Sequence, residues 1–310
     1  MIELNFYVDE KPLILLPLIN SSFPSCIYDW ILSIVELQED SFENIKISTK
    51  LSSDWLTQST INNYQVFDLI YSQWSPNVIE EIRLLQIAMD RCDNFDPIEY
   101  IDSPAIQYSH AFAAAAMEVS PTITIFPILA FNYIPDHHKT TAIINSTHDI
   151  PNAVRQHIIQ HRLNQDDFMT LSKIAFPNLY LHEGVIFNKF RKPYAEVLPH
   201  AITHLSFLND HAQLLFKTEG YSADKINQVA AATYNISLSP ESPNTHRNIQ
   251  AMREREISIA DSIICCEWHT KFTYDWGRIH FHIGANLPEP VKTITQNKVI
   301  IGIFADHLTV

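Results

Sequence analysis

Two short runs late in the chain, Glu267-Trp-His-Thr-Lys271 and Arg278-Ile-His-Phe-His282, alternate ionisable with mostly apolar residues. Side chains of a strand point alternately to its two faces. If the runs pair as a hairpin through Tyr274-Asp275-Trp276-Gly277, then Glu267, His269, Lys271, Arg278, His280 and His282 share one face. Trp268, Thr270, Phe272, Ile279, Phe281 and Ile283 share the other and can pack on a core. The histidines offer acid and base near neutral pH. Lys271 and Arg278 offer positive charge that can hold a phosphate and stabilise a developing oxyanion. Together they suit metal-independent RNA cleavage, in which a base takes the 2′-hydroxyl proton and an acid protonates the leaving oxygen. The plainer reading is a polar surface hairpin whose Glu267 pairs across the strands with Lys271 or Arg278. His307, in Ala305-Asp-His-Leu308, joins the candidates. The candidate catalytic set is therefore His269, Lys271, Arg278, His280, His282 and His307, with no cofactor and no metal ligand assigned.

Other constellations carry less. His157/His161 and His200/His204 stand one helical turn apart, a spacing that could share zinc. Neither pair sits in an HExxH sequence, because Ile158 and Ala201 occupy the glutamate position, and a chain with 15 histidines produces such spacings by chance. His280 and His282, completed by His269 or by Asp306 and His307, form another conceivable ligand set. Cys265 and Cys266 are expected to be buried structural thiols rather than nucleophiles. The segment Arg247 to Arg255 holds three arginines that could extend an anion-binding surface, although Glu254 and Glu256 dilute it.

Composition narrows the function classes. The five glycines, Gly184, Gly220, Gly277, Gly284 and Gly302, are too scattered to build a phosphate-cradling GxGxxG or P-loop, which argues against a P-loop NTPase, a Rossmann dehydrogenase or a protein kinase. Of the net charge of −14, residues 1–100 contribute −11 (16 acids, 5 bases) and the remainder −3 (19 acids, 16 bases). An acidic first third repels polyanions but suits a basic partner protein. A local nucleic-acid site is expected only in the near-neutral part. Four cysteines, Cys26, Cys92, Cys265 and Cys266, make neither a disulfide framework nor a CxxC pair. With no signal-like start, and an apolar run at Thr122–Ile134 that is too short to span a bilayer, the chain is expected to be cytoplasmic, with no membrane contact.

The elements that must position these residues are also legible. Residues 2–8 and 13–19 read as strands. Ile27, Trp30, Ile31, Ile34 and Val35 form a helical stripe. Ser75-Pro76 and Ser103-Pro104 look like helix starts, the second running to Met117. Thr122–Phe131 and Thr140–Ser146 read as neighbouring strands, and a helix starts at Pro151. Mostly helical sequence follows from Asp166 to Tyr234, with a long element over Tyr194–Lys217. Ser237–Asn248, rich in turn residues, reads as a linker. After it, Ile257–Phe272, Arg278–Ile283 and Val299–Phe304 read as strands. The fold class expected is α+β, with an N-terminal α/β region (1–160), a helical middle with the linker (161–248) and a C-terminal antiparallel sheet (249–310).

The blocks Ser239-Pro-Glu-Ser242, Cys266-Glu-Trp-His-Thr-Lys271, Arg278-Ile-His-Phe281 and Ile300-Ile-Gly-Ile-Phe-Ala-Asp-His-Leu308 resemble poorly characterised bacterial proteins of phage-defence and restriction islands. More faintly, the tail is similar to RelE- and HigB-type ribonuclease toxins. That likeness implies phosphate held by Arg278 and Lys271, with His280 or His307 assisting proton transfer. It covers only the chain from Ser239 onward, and those toxins are small and basic. The resulting expectation is a bacterial antiviral-defence protein whose C-terminal face binds, and perhaps cuts, nucleic acid, RNA foremost. The alternatives are a non-catalytic subunit or sensor acting through a partner protein, and a metal-dependent hydrolase.

Overall fold

Strand-favouring residues at Ile2–Val8 form β1, the centre of the first of two five-stranded sheets among the described residues. The structure is a computed structural model describing residues 2–8, 25–39, 45–57, 64–71, 76–95, 129–133, 140–144, 150–160 and 162–309. The chain divides into two units, Met1–His161 and Arg162–Val310. The expected strand at 13–19 and helix from Ser103-Pro104 lie outside the described residues, as does the start of the expected strand at Thr122.

In the first unit, α1 (Ser25–Glu39), β2 (Ile45–Ser52), α2 (Val66–Ile70), α3 (Ile79–Asp90), β3 (Asp93–Phe95), β4 (Leu129–Tyr133), β5 (Thr140–Ile144) and α4 (Ile150–Gln160) follow β1. The sheet runs β3-β2-β1-β4-β5, parallel on the β2 and β3 side and antiparallel on the β4 and β5 side. The expected pairing of Thr140–Ser146 with the preceding strand is present as β4 and β5. Gln38 of α1 donates to Thr49 Oγ1 at 3.0 Å and to the Ala88 carbonyl at 2.9 Å, tying α1 to β2 and α3. The helix expected from Ser75-Pro76 begins later, at Ile79, with no side-chain cap.

The second unit contains α5 (Gln165–Ala175), β6 (Leu179–Leu181), α6 (Tyr194–Asp210), α7 (Ala212–Thr218), α8 (Ala223–Tyr234), β7 (Ser237–Pro240), α9 (Pro243–Arg247), α10 (Ile249–Arg253), β8 (Glu256–Ile259), β9 (Ser262–Cys265), β10 (Trp268–Lys271), β11 (Arg278–His282), α11 (Glu289–Thr295) and β12 (Val299–Ala305). Its sheet is ordered β6-β12-β11-β10-β7. β10, β11 and β12 are antiparallel as expected, β7 adds an antiparallel edge and β6 a parallel one. The class is α+β.

Three expectations are corrected here. The linker at Ser237–Asn248 is an edge strand followed by a capped helical turn, since Ser242 Oγ accepts from the Thr245 amide at 3.1 Å. The helical middle and the C-terminal strands accordingly share one sheet. The long helix at Tyr194–Lys217 breaks at His211, which leaves helical geometry between α6 and α7. The single strand at Ile257–Phe272 is three strands, because Ala260 and Asp261 both take positive φ (49° and 59°) and fold β8 back onto β9. That two-residue turn is the type whose usual sequence is Asn-Gly, and Ala-Asp does not announce it.

Trp268, Ile279 and Phe281 use one sheet face as the sequence predicts. Phe216 packs edge-on against Trp268 (4.6 Å between ring centres) and Phe281 (6.1 Å). The β8–β9 hairpin seals part of the opposite face through Ile257, Ile259, Ile264 and Cys266, which cluster with Ile300. Gly302 makes that approach possible, since a Cβ there would run into Cys266 Sγ and the Ile257 side chain. Gly302→Ala is therefore expected to cost about 1–3 kcal/mol of stability, as other core overpackings do, read by urea denaturation. Among the described residues no helix is long and apolar enough to cross a membrane.

Candidate functional site: a cationic pocket over a buried carboxylate

The hairpin register sets His269 directly opposite His280 and Lys271 opposite Arg278. Strand alternation then brings all four to one face, with the two imidazole ring centres 5.0 Å apart. This face is covered rather than open. His269 is 7% exposed, His280 1% and Arg278 8%.

The cover comes from the segment that reads as a linker in sequence. β7 pairs Ser239 with His269, and the Glu241 amide donates to the Glu267 carbonyl at 2.9 Å, carrying the ladder one step further. Ser239 and Glu241, two residues apart, share the histidine face. Helix α9 then turns the chain away, and α10 returns it at Arg255. The Arg255 guanidinium points inward, its Nε 2.9 Å from Glu241 Oε1 and its Nη1 donating to the Ala251 carbonyl at 2.6 Å. The contact with Glu241 is an ion pair by distance, without the alignment of a hydrogen bond. Glu241 Oε1 also lies 3.3 Å from His269 Nδ1 and 3.6 Å from His280 Nδ1. His269 Nε2 lies 3.4 Å from Ser239 Oγ.

Above this floor is a pocket of about 200 Å³ walled by β7, the α9 turn, Lys271, Arg278 and the His307–Leu308 segment. Arg278 is anchored by its Nη1, which donates to the Asp306 carbonyl, and by its Nη2, 3.4 Å from the Tyr274 carbonyl. Asp306 is itself held, accepting from the Arg191 amide at 2.8 Å.

Charge follows burial. Desolvation pushes the Glu241 carboxyl up, but His269 and Arg255 more than offset it and hold it at about 2. Burial lowers His280 to about 3, and lowers His269 against the pull of Glu241. Burial and then the neighbouring Arg278 lower Lys271. Burial, followed by Arg278, also lowers His307. At neutral pH the floor holds an ion pair and two uncharged imidazoles, and the wall adds the positive charges of Lys271 and Arg278.

Of the sequence candidates, His269, Lys271, Arg278, His280 and His307 meet in this pocket. His282 does not line it; its Nδ1 accepts from the Gly284 amide at 3.1 Å. Glu267 also stays outside, with His246 Nε2 3.7 Å away. Glu241 and Arg255, the centre of the floor, are absent from the candidates. Their only trace in sequence is a lone acid among turn residues and the last arginine of the 247–255 run.

The remaining motifs separate from the pocket. Cys266 is fully buried against Gly302, and burial raises its thiol. Burial and then Glu267 bring Cys265 to about 11, so neither is an ionised nucleophile at neutral pH. His157 is buried within α4, and His161 lies outside the described residues. His200 and His204 both pack on the Phe272 ring, at 5.6 and 4.7 Å, rather than converging as ligands. Burial, then His200, lowers His204 to about 3 from 6.5. Protonation is thus disfavoured in the folded state, and stability should fall as pH drops from 6.5 towards 3. His204→Phe should flatten that limb of a urea-midpoint profile. No protein-family model, curated protein or solved structure matches this chain.

Proposed function

We propose that the pocket binds the phosphodiester backbone of nucleic acid, RNA foremost, and cleaves it, in a bacterial antiviral-defence protein working in the cytoplasm. The observation carrying this reading is the cross-strand pair Lys271–Arg278, two cations set side by side in the lining of one cavity with His269, His280 and His307. A phosphate between them receives charge-assisted hydrogen bonds, and the added negative charge of a pentavalent phosphorus is stabilised most. His307 is exposed on the same wall and is the group best placed to exchange protons with solvent. In RNA the 2′-oxygen attacks phosphorus and the P–O5′ bond breaks. The 2′ proton passes to a base and a proton reaches the departing 5′-oxygen. The defence context rests on the tail's resemblance, and the reducing cytoplasm on Cys265 and Cys266, which are free thiols.

The test is cleavage of end-labelled RNA, single-stranded DNA and duplex DNA by wild type and His307→Ala, with and without a chelator. Cutting of RNA that drops about 10²–10⁴-fold in the variant supports the reading. Equal cutting by both removes His307 from it. Neither cutting nor binding of any substrate overturns it, and the acidic first hundred residues then direct attention to a basic partner protein. A second reading, a metal-dependent hydrolase, is favoured by the way three donors of the floor converge.

A further inference from the structure

Glu241 Oε1, His269 Nδ1 and His280 Nδ1 lie within 4.8 Å of one another on the pocket floor. Their side chains are 4%, 9% and 1% exposed. As a hydrogen-bonded cluster the arrangement is poor. None of the three atoms has a well-formed partner, and neither ring nitrogen of His280 has one. Buried polar atoms left in that state cost about 1–3 kcal/mol each. As a ligand set the same spacing is ordinary. With bonds of about 2.0–2.1 Å, a tetrahedral centre keeps its donors about 3.4 Å apart. The contacts from Glu241 to the two imidazoles, 3.3 and 3.6 Å, bracket that value.

We propose that Glu241, His269 and His280 bind one zinc-class divalent metal ion, whose fourth position opens into the pocket. Two imidazoles and one carboxylate suit zinc and its first-row neighbours, whereas magnesium and calcium prefer all-oxygen sets. Ser239 Oγ, 3.4 Å from His269 Nε2, can accept a hydrogen bond from that nitrogen, keeping the proton there and leaving Nδ1 free to ligate. Arg255 does not block the site, since a carboxylate oxygen has two lone pairs and Oε1 can face both the guanidinium and the ion. Arg255 is a positioning residue, fixing the carboxylate from behind. The floor ion pair is already neutral, so the ion adds two positive charges beside Lys271 and Arg278. The open position therefore selects an anionic oxygen, either hydroxide or a phosphate oxygen. Only that last step rests on the proposed function.

The full chain is stripped with a chelator and dialysed against micromolar zinc or cobalt(II). The ion is then counted per chain by elemental analysis, and its ligands by X-ray absorption at the metal edge. One ion per chain, with two imidazoles and oxygen donors, is expected, and cobalt should give the visible absorption of a four-coordinate site. His280→Phe fills the space without a ligand and should weaken binding at least about 100-fold, since even outer-shell losses cost about 10–100-fold. His200→Ala should retain the ion. Metal-free protein, a site without imidazole, or unchanged binding in folded His280→Phe would overturn the proposal. If His280→Phe does not fold, the wild-type absorption spectrum decides alone. Metal binding is read without nucleic acid. Zinc bound by a protein with no RNA affinity therefore keeps the ion and sinks the nuclease reading, and RNA cleavage by a protein that takes up no metal does the reverse.

Discussion

Replacing Glu241 with alanine is expected to destabilise the second unit by about 3–5 kcal/mol, the usual cost of stranding one partner of a buried ion pair. Arg255, 2% exposed, would keep its charge with the carboxylate gone. That the loss comes from the stranded Arg255 charge is checked by the double variant Glu241→Ala/Arg255→Met. Removing both charges should recover much of the loss, a coupling read by a double-mutant cycle in urea. Acid provides an independent check on the metal-free protein. The Glu241 carboxyl is held at about 2 in the folded state against an ordinary 4.5. Its contribution is then fully present above 4.5 and lost as pH falls through about 2, because the unfolded chain takes up the proton first. Urea midpoints across that window should slope in the wild type and flatten in Glu241→Ala. Equal slopes would mean that the carboxylate is not held by its neighbours.

On the proposed phosphodiester reading, Lys271→Ala is expected to have the largest effect on function with the least on folding. The side chain is half-buried in the pocket lining, and the ladder around it is made by backbone. Loss of one phosphate contact should weaken RNA binding about tenfold regardless of sequence and reduce the salt slope by about 0.7. If Lys271 also stabilises the transition state, cleavage should fall a further 10²–10³-fold, about the cost of one oxyanion donor. Arg278→Ala cannot be read so simply, because its guanidinium also holds the carbonyls of Tyr274 and Asp306 in place. Fluorescence anisotropy of a labelled RNA across a salt series, with a thermal melt of each variant, separates the two. An unchanged salt slope in folded Lys271→Ala would take phosphate away from this side chain.

The hairpin that carries half of the pocket is readable because its signal is local. Period-two alternation and the Asp-Trp-Gly turn are enough to place His269, Lys271, Arg278 and His280 together. Covering this face is a long-range event. Glu241 and Arg255 reach the histidines only because β7 joins the sheet edge, and nothing near Ser237 states that its turn-rich sequence will be a strand. The split of Ile257–Phe272 into three strands escaped for a related reason. Ala260-Asp261 adopts a left-handed turn that tertiary packing imposes, without the glycine that would advertise it. The same limit applies to β6, three residues recruited from a helical region as a parallel edge. Expected burial was reversed as well, since alternation says which residues share a face and not whether another segment lies over it.

The register of β7 bears on what the edges of this sheet offer to a strand of another chain. Ser239 and Glu241 share the side that faces β10, so Leu238 and Pro240 turn their main chain outward. An outward-facing strand with free donors is a template for another strand, and hence for aggregation. Here the Leu238 amide is already taken by Asn227 Oδ1 at 3.3 Å, and Pro240 has no amide hydrogen to offer. The opposite edge, β6, is only three residues long. The sheet that supports the pocket thus ends in borders that offer few amide donors to a strand of another chain, and the pocket floor lies behind them.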